Sequence, residues 1–260
     1  MSSTWGDGLR LAWGTLSAIP VPPPRRVDRE VAGAAMTLAP LAALPLAVAW
    51  TAWAWLGTAL ALPDLVVGGL AVALLTLMTR AMHLDGLADY ADGLSASYDR
   101  ERALAVMKTG DVGPSGAAAI ASCLLVQAAC LASLAGSARG VVLGAVALLL
   151  SRHLLAWACV RGVPSARPGG LGDMVAGTVP VWRAAAVLVL VTALGAAGCV
   201  AIGAARSWWA VLPCAAAGLV GGWLVVERAV RRLGGITGDV LGATIEVALT
   251  LALVAATACG

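Results

Sequence analysis

Residues 140–160 read GVVLGAVALLLSRHLLAWACV. Coiled into a helix, this run is long enough to cross the roughly 30 Å hydrocarbon core of a bilayer. Only Ser151, Arg152 and His153 interrupt its apolar character. It is not isolated: comparable runs lie near 35–61, 65–82, 116–135, 184–203, 208–226 and 240–259, which predicts about seven helical spans in an all-α, polytopic membrane bundle. The whole chain agrees, with 60% apolar residues, 12% charged residues and a mean hydropathy of +0.91, values foreign to a soluble globule. The run at 35–61 is overlong and carries Pro40 and Pro45, so a kink, a re-entrant turn or a split is expected there. Residues 9–20 are shorter and fit an interfacial helix. Residues 1–33 then form an N-terminal cytoplasmic or interfacial segment of a single domain covering 1–260.

The start of the chain lacks a basic stretch followed by an apolar run and a small-residue cleavage site, so no removed targeting peptide is expected. All six cysteines lie in apolar segments without a CxxC pair and read as small core residues. Of the 17 Lys and Arg, all but four fall in one set of loops, among them Arg25, Arg26, Arg100, Lys108, Arg167 and Arg232. The opposite loops hold Arg139 and Arg206, Arg80 ends a span and Arg152 lies within one. An excess of positive charge marks the cytoplasmic side, which puts the N-terminus inside and the C-terminus outside.

Three of the 14 acidic residues crowd into HLDGLADYAD, residues 83–92, at the cytoplasmic end of the second span. If this segment is helical, Asp85, Asp89 and Asp92 stand at i, i+4 and i+7 and share one stripe about 60° wide. Unpaired, they repel one another and call for a cation. Hard oxygen ligands favour Mg²⁺ or Mn²⁺, and Mg²⁺ is commonly held by a few carboxylates together with substrate phosphates. The alternative is a solvated acidic face on an interfacial helix. His83 lies about 200° from Asp85 around an ideal helix, away from that stripe, where packing and catalysis are both open roles.

Three loops on the same side are rich in glycine: MKTGDVGPSG (107–116), RPGGLGDM (167–174) and GGITGDVLGATIE (234–246). Glycine lets backbone N–H groups approach a ligand, and Lys108 or Arg167 can bind phosphate oxygens. Glycine also caps helices and lets them pack closely. Arg152 and Glu246 fall inside apolar runs, where a lipid-facing charge is costly, so both should face the bundle interior or a wet cavity. Carboxylates, basic groups and close-approach loops at one membrane surface point to transfer of a phosphoryl-linked group, for which pyrophosphate charge must be neutralised.

HLDGLADYADGL, RALAVMKTGDVGPSGAAA, SRH, RPGGLGD and GGITGDVLGATIE, in this order and preceded by LSAIPVP, resemble the cobalamin synthase family of adenosylcobinamide-GDP ribazoletransferases. The resemblance covers most of the chain. It implies an integral enzyme of the bacterial cytoplasmic membrane, with its active site on the cytoplasmic side. The implied reaction joins α-ribazole or its 5′-phosphate to adenosylcobinamide-GDP with Mg²⁺, releasing GMP and forming adenosylcobalamin or its phosphate. Many members carry Asp and Arg where this chain has Thr109 and Asp111.

Carried onto this chain, the resemblance and the residue pattern together assign Mg²⁺ to Asp85, Asp89 and Asp92 within a catalytic segment at 82–115. The hydroxyl proton goes to one of these or to Asp239. Lys108, Arg152 and Arg167 are the expected phosphate contacts, Gly113 and Gly238 the sites of close approach. His83, Thr237 and Glu246 complete the candidate substrate-binding set; for Glu246 the alternative is a pair with Arg152. The expected partners are the two substrates and the lipid bilayer, not nucleic acid. Close packing at GLVGG (218–222) permits contacts within one chain or between chains. Two other classes of membrane protein also carry intramembrane or membrane-surface acids. A CDP-alcohol phosphotransferase requires Ala-Arg after its D-G-x-x and a later D-x3-D, both absent here. A cation-coupled or proton-coupled transporter tends to bind near the midplane between internal repeats, whereas these acids gather at one mouth.

Overall fold

The computed structural model describes residues 3–259, apart from the side chains at 205–207, where Arg206 falls. The chain begins with α1 (Thr4–Leu16), whose free N–H groups are capped by the Ser3 hydroxyl, and which packs against α2 (Arg29–Ala42) through Ala12, Leu16, Ala32 and Met36. A turn at Ala43 leads into α3 (Leu44–Ala59), so the overlong run is one segment of 31 residues with a break. Proline explains the break: Pro45 has no N–H to donate to the carbonyl of Leu41, and its ring crowds that turn.

Next come α4 (Asp64–Met78) and α5 (Met82–Ala96), which meet at 92°. The elbow is set by Arg80 and Ala81, both in the left-handed region at φ 57° and 55°. Each costs about 1–2 kcal/mol in that conformation, and the Arg80 guanidinium tethers the elbow by donating to the Gly14 carbonyl of α1 at 2.9 Å. A short α6 (Arg100–Val106) follows, and then α7 (Pro114–Ala135), α8 (Ala138–Ala158), the five-residue α9 (Leu171–Val175), α10 (Val181–Ala201), α11 (Val211–Leu233) and α12 (Gly238–Ala258).

Among the described residues, six helical segments are long and apolar enough to cross a membrane, or seven when α4 and α5 count as one bent span. That is the expected all-helical bundle, with the residue 9–20 segment forming α1 beside it. We read α4 as the short crossing segment and α5 as a bar across one end of the bundle, outside the spans. α8 and α12 occupy the centre; α10 lies at the edge, with most of its surface turned outward. All six cysteines are free, five buried and Cys259 partly so, in keeping with a packing role.

Candidate active site

The start of α12, the end of α8, the N-terminus of α7 and the bar α5 converge at one end, hereafter the mouth. The bar lies close because Gly86 has no side chain: a Cβ there would stand 2.9 Å from the Asp239 carbonyl oxygen and 3.2 Å from the Gly242 Cα. At its far end, Asp92 binds α7. Its two carboxylate oxygens accept the N–H groups of Gly113 and Gly116, each at 2.8 Å, supplying from another helix the N-terminal cap that α7 lacks and placing an anion at the positive end of its dipole.

The predicted stripe therefore exists but is not uniform. Asp85 is exposed, Asp89 half-buried and Asp92 only 7% exposed. The first two look into the mouth, while Asp92 holds the frame together. Gly113 takes part in the same grip: its close approach is to Asp92, since a Cβ there would lie 2.6 Å from Oδ1.

Two of the glycine-rich loops are stitched together by backbone. Ile236 donates to the Pro164 carbonyl at 2.9 Å, and Ala166 donates to the Ile236 carbonyl at 3.0 Å. Gly235, at φ 157°, permits this, because a Cβ would collide with Pro164 oxygen at 2.4 Å. The stitch carries Arg167 to α12, with its Nη2 3.9 Å from Asp239 Oδ2. Thr237 caps α12 by accepting from Val240 N–H and donates its hydroxyl proton to Asp239 Oδ2, both at 3.2 Å. Asp239 is thus oriented by Thr237 and faced by Arg167, with Asp85 and Asp89 across the helix crossing. Gly238 lies between them on the wall of the mouth.

Burial first, and then the Asp85, Asp239 and Asp92 carboxylates, push the Asp89 carboxyl up to about 6. Among the described residues, neither Asp85 nor Asp89 has an ion-pair partner, and no three His, Cys, Asp or Glu side chains form a ready-made metal cluster. Mg²⁺ does not need one, because it retains waters and takes phosphate oxygens alongside one or two carboxylates. Two neighbouring carboxylates without a counter-charge fit such an ion; Asp92, with each oxygen already accepting a hydrogen bond, fits it less well.

Beside these acids opens a cavity of about 260 Å³. Its walls are mainly apolar side chains of α1, α2, α5, α8, α9 and α12, broken by Thr15, His83, Asp85 and Asp239. The remaining candidates lie at varied depths. Lys108 is exposed on the turn after α6. Arg152 is 2% exposed inside α8 and bonds Ser151 Oγ at 2.9 Å. Glu246 is buried and accepts a hydrogen bond from Gln127 Nε2 at 2.9 Å, with His83 Nδ1 3.9 Å away. Gln127 was not anticipated. An amide within the apolar run 116–135 was the available signal. Cys123, read as core packing, also touches Glu246, 3.8 Å from Oε2.

Fold and site together define a polytopic helical membrane protein with a mouth of carboxylates, an arginine and a largely apolar cavity. A family described as cobalamin-5-phosphate synthase matches residues 8–257. The chain belongs to that family. It is 45% identical over 249 residues to a protein of a Nocardioides species named adenosylcobinamide-GDP ribazoletransferase, covering 96% of this chain and 97% of that one. It is 38% identical to a protein of the same name from Frankia casuarinae, covering 95% and 94% of the two chains, and 34% identical to one from Syntrophobacter fumaroxidans, covering 96% of each. No solved structure matches this chain.

Proposed function

We propose that this protein joins α-ribazole, or its 5′-phosphate, to adenosylcobinamide-GDP, releasing GMP and forming adenosylcobalamin or its 5′-phosphate. The observation that carries this reading is the meeting of Asp85 and Asp89 with Arg167 and Asp239 at one membrane-surface mouth, in a chain similar along nearly its whole length to proteins named for that reaction.

The ribazole hydroxyl oxygen forms a new bond to the phosphorus on the cobinamide side of the pyrophosphate. The bond from that phosphorus to the bridging oxygen breaks, and GMP leaves with the electron pair. Arg167, whose guanidinium lies within 4 Å of Asp239, binds the phosphate oxygens. Asp239, held by Thr237, accepts the hydroxyl proton. Asp85 and Asp89 would hold Mg²⁺, which supplies neutralising charge to the pyrophosphate and its departing half. Asp92 fixes the bar that presents them.

The arginine-rich loops support a location in the bacterial cytoplasmic membrane with the mouth on the cytoplasmic side. Reporters fused after Pro114 and after the last residue test this orientation: the first should report the cytoplasm and the second the opposite face, and the reverse would overturn it. The reaction itself is tested by supplying detergent-purified protein with adenosylcobinamide-GDP and α-ribazole, with and without Mg²⁺. Metal-dependent GMP release is the expected result; no release with both substrates and metal present rejects the reading.

A further inference from the structure

We infer that the cavity beside Asp85 and Asp239 is the subsite for the bicyclic aromatic base of the ribazole, and that Met36 and Met174 set which bases it admits. The inference rests on the reaction proposed above and assigns one part of one substrate.

Four large groups meet in that reaction, the corrin, its adenosyl group, guanine and the ribazole base, and the cavity discriminates among them. At about 260 Å³ it lies below the 300–1,000 Å³ usual for drug-sized ligands, so an amide-bearing corrin macrocycle cannot enter. Guanine and the adenine of the adenosyl group each present donors and acceptors along two edges, and burying them without partners is costly. Away from the rim of Asp85 and Asp239, and apart from Thr15 and His83, the walls offer nothing to satisfy them, being formed chiefly by Leu11, Leu16, Met36, Leu155, Met174 and Leu241. A dimethylated benzimidazole is flat, compact and apolar, with a single unsubstituted ring nitrogen as acceptor. His83 lines the same cavity, is 3% exposed, and has neither ring nitrogen hydrogen-bonded within the protein. Its Nδ1 faces the Glu246 carboxylate at 3.9 Å, so the ring stands between that carboxylate and the cavity. Asp85 and Asp239 stand on the wall of the cavity, so a base seated inside carries its ribose to the reacting groups.

Methionine thioethers are flexible and contact aromatic rings favourably. Met174 is half-buried on the short α9 and Met36 is buried on α2, so they line the cavity from different elements.

The test is equilibrium dialysis of α-ribazole against detergent-purified wild type, Met174→Trp and Met36→Ala, with KM measured for both substrates. Wild type should bind α-ribazole. Filling the cavity with Met174→Trp should weaken α-ribazole binding about tenfold or more, the scale set by small volume changes in hydrophobic pockets, while KM for adenosylcobinamide-GDP changes by less than about twofold. Met36→Ala should shift relative affinity toward a ribazole with a larger base; if Met174→Trp does not purify as a monodisperse species, this variant decides alone. Unchanged α-ribazole affinity and base preference overturn the assignment, as does a rise confined to KM for adenosylcobinamide-GDP or a wild type that binds no α-ribazole. A wild type that binds α-ribazole and shows these shifts, yet releases no GMP, refutes the reaction and leaves the subsite standing.

Discussion

Gly86 and Asp239 touch through backbone: the Cβ that Gly86 lacks would stand 2.9 Å from the Asp239 carbonyl oxygen and 3.0 Å from its Cα. The separation between the carboxylates of α5 and the acid of α12 is set by this contact. Gly86→Val should force the two helices apart, and turnover should fall by about 100-fold, the scale seen when reacting groups are displaced by about 1 Å. Thermal stability should drop by a few kcal/mol at most, as for overpacking elsewhere. Turnover within twofold of wild type would show that the bar's distance from α12 does not matter.

Asp89→Asn preserves shape and removes one charge. Such a protein should insert and purify like wild type but lose most of its turnover at low Mg²⁺, with partial recovery as Mg²⁺ is raised. Equal loss at every Mg²⁺ concentration argues against ligation, and full activity without added metal returns Asp89 to a solvated acidic face.

Asp92→Ala makes the opposite pattern. It removes the acceptor for the Gly113 and Gly116 N–H groups, and loss of an N-terminal cap costs about 0.5–2 kcal/mol. A lowered unfolding midpoint should accompany the activity loss, with no recovery at high Mg²⁺. A variant as stable as wild type but rescued by metal would move Asp92 from frame to ligand.

The proton affinity of Asp89 has a defined pH signature. Its folded value of about 6 lies above the ordinary 3.8, so without metal this carboxyl favours the folded state below about 4 and loses that contribution as pH rises through 6. Mg²⁺ binding runs the other way, since it needs the ionised form. Stability in EDTA should therefore decline between pH 4 and 6 while Mg²⁺ affinity climbs over the same window, both measurable by thermal melts; Asp89→Asn should flatten both slopes. A wild-type EDTA profile indistinguishable from that of Asp89→Asn counts against the raised value.

Deep in the bundle, Arg152 and Glu246 interact electrostatically, and Gln127 already donates to the carboxylate. Glu246→Gln leaves the buried arginine without its counter-charge, so expression or melting temperature should fall, and adding Arg152→Gln should restore part of it, as expected when a buried charge is left uncompensated. A well-folded Glu246→Gln protein with reduced turnover, unrescued by the second change, would place Glu246 in the substrate site through its neighbour His83. A stable, fully active single variant excludes both roles.

Hydropathy was enough to locate the spans, because a bilayer permits few solutions for a chain this apolar. The break at Ala43 followed from Pro40 and Pro45, and the acid stripe from helical periodicity. The different duties of its members did not follow, because periodicity orients side chains around their own helix and says nothing of what the next helix brings. Asp92 meets α7 only because the chain turns at Arg80 and Ala81, two residues with no intrinsic preference for left-handed backbone. The cavity was hidden for a related reason: its methionines come from separate elements and read locally as ordinary core. The glycine-rich loop marks Arg167 as a candidate phosphate contact, but its meeting with Asp239 depends on the backbone stitch between residues 164–166 and Ile236.

The shortness of α4 also has a geographic meaning. At 15 residues it rises only about 22 Å, some way short of the roughly 30 Å hydrocarbon layer. A crossing that ends early and turns sideways at 92° leaves α5 lying across the end of the bundle instead of lengthening the span. The carboxylates it carries are thereby held along the membrane surface, where a water-soluble reactant and an amphiphile resting in the leaflet can meet.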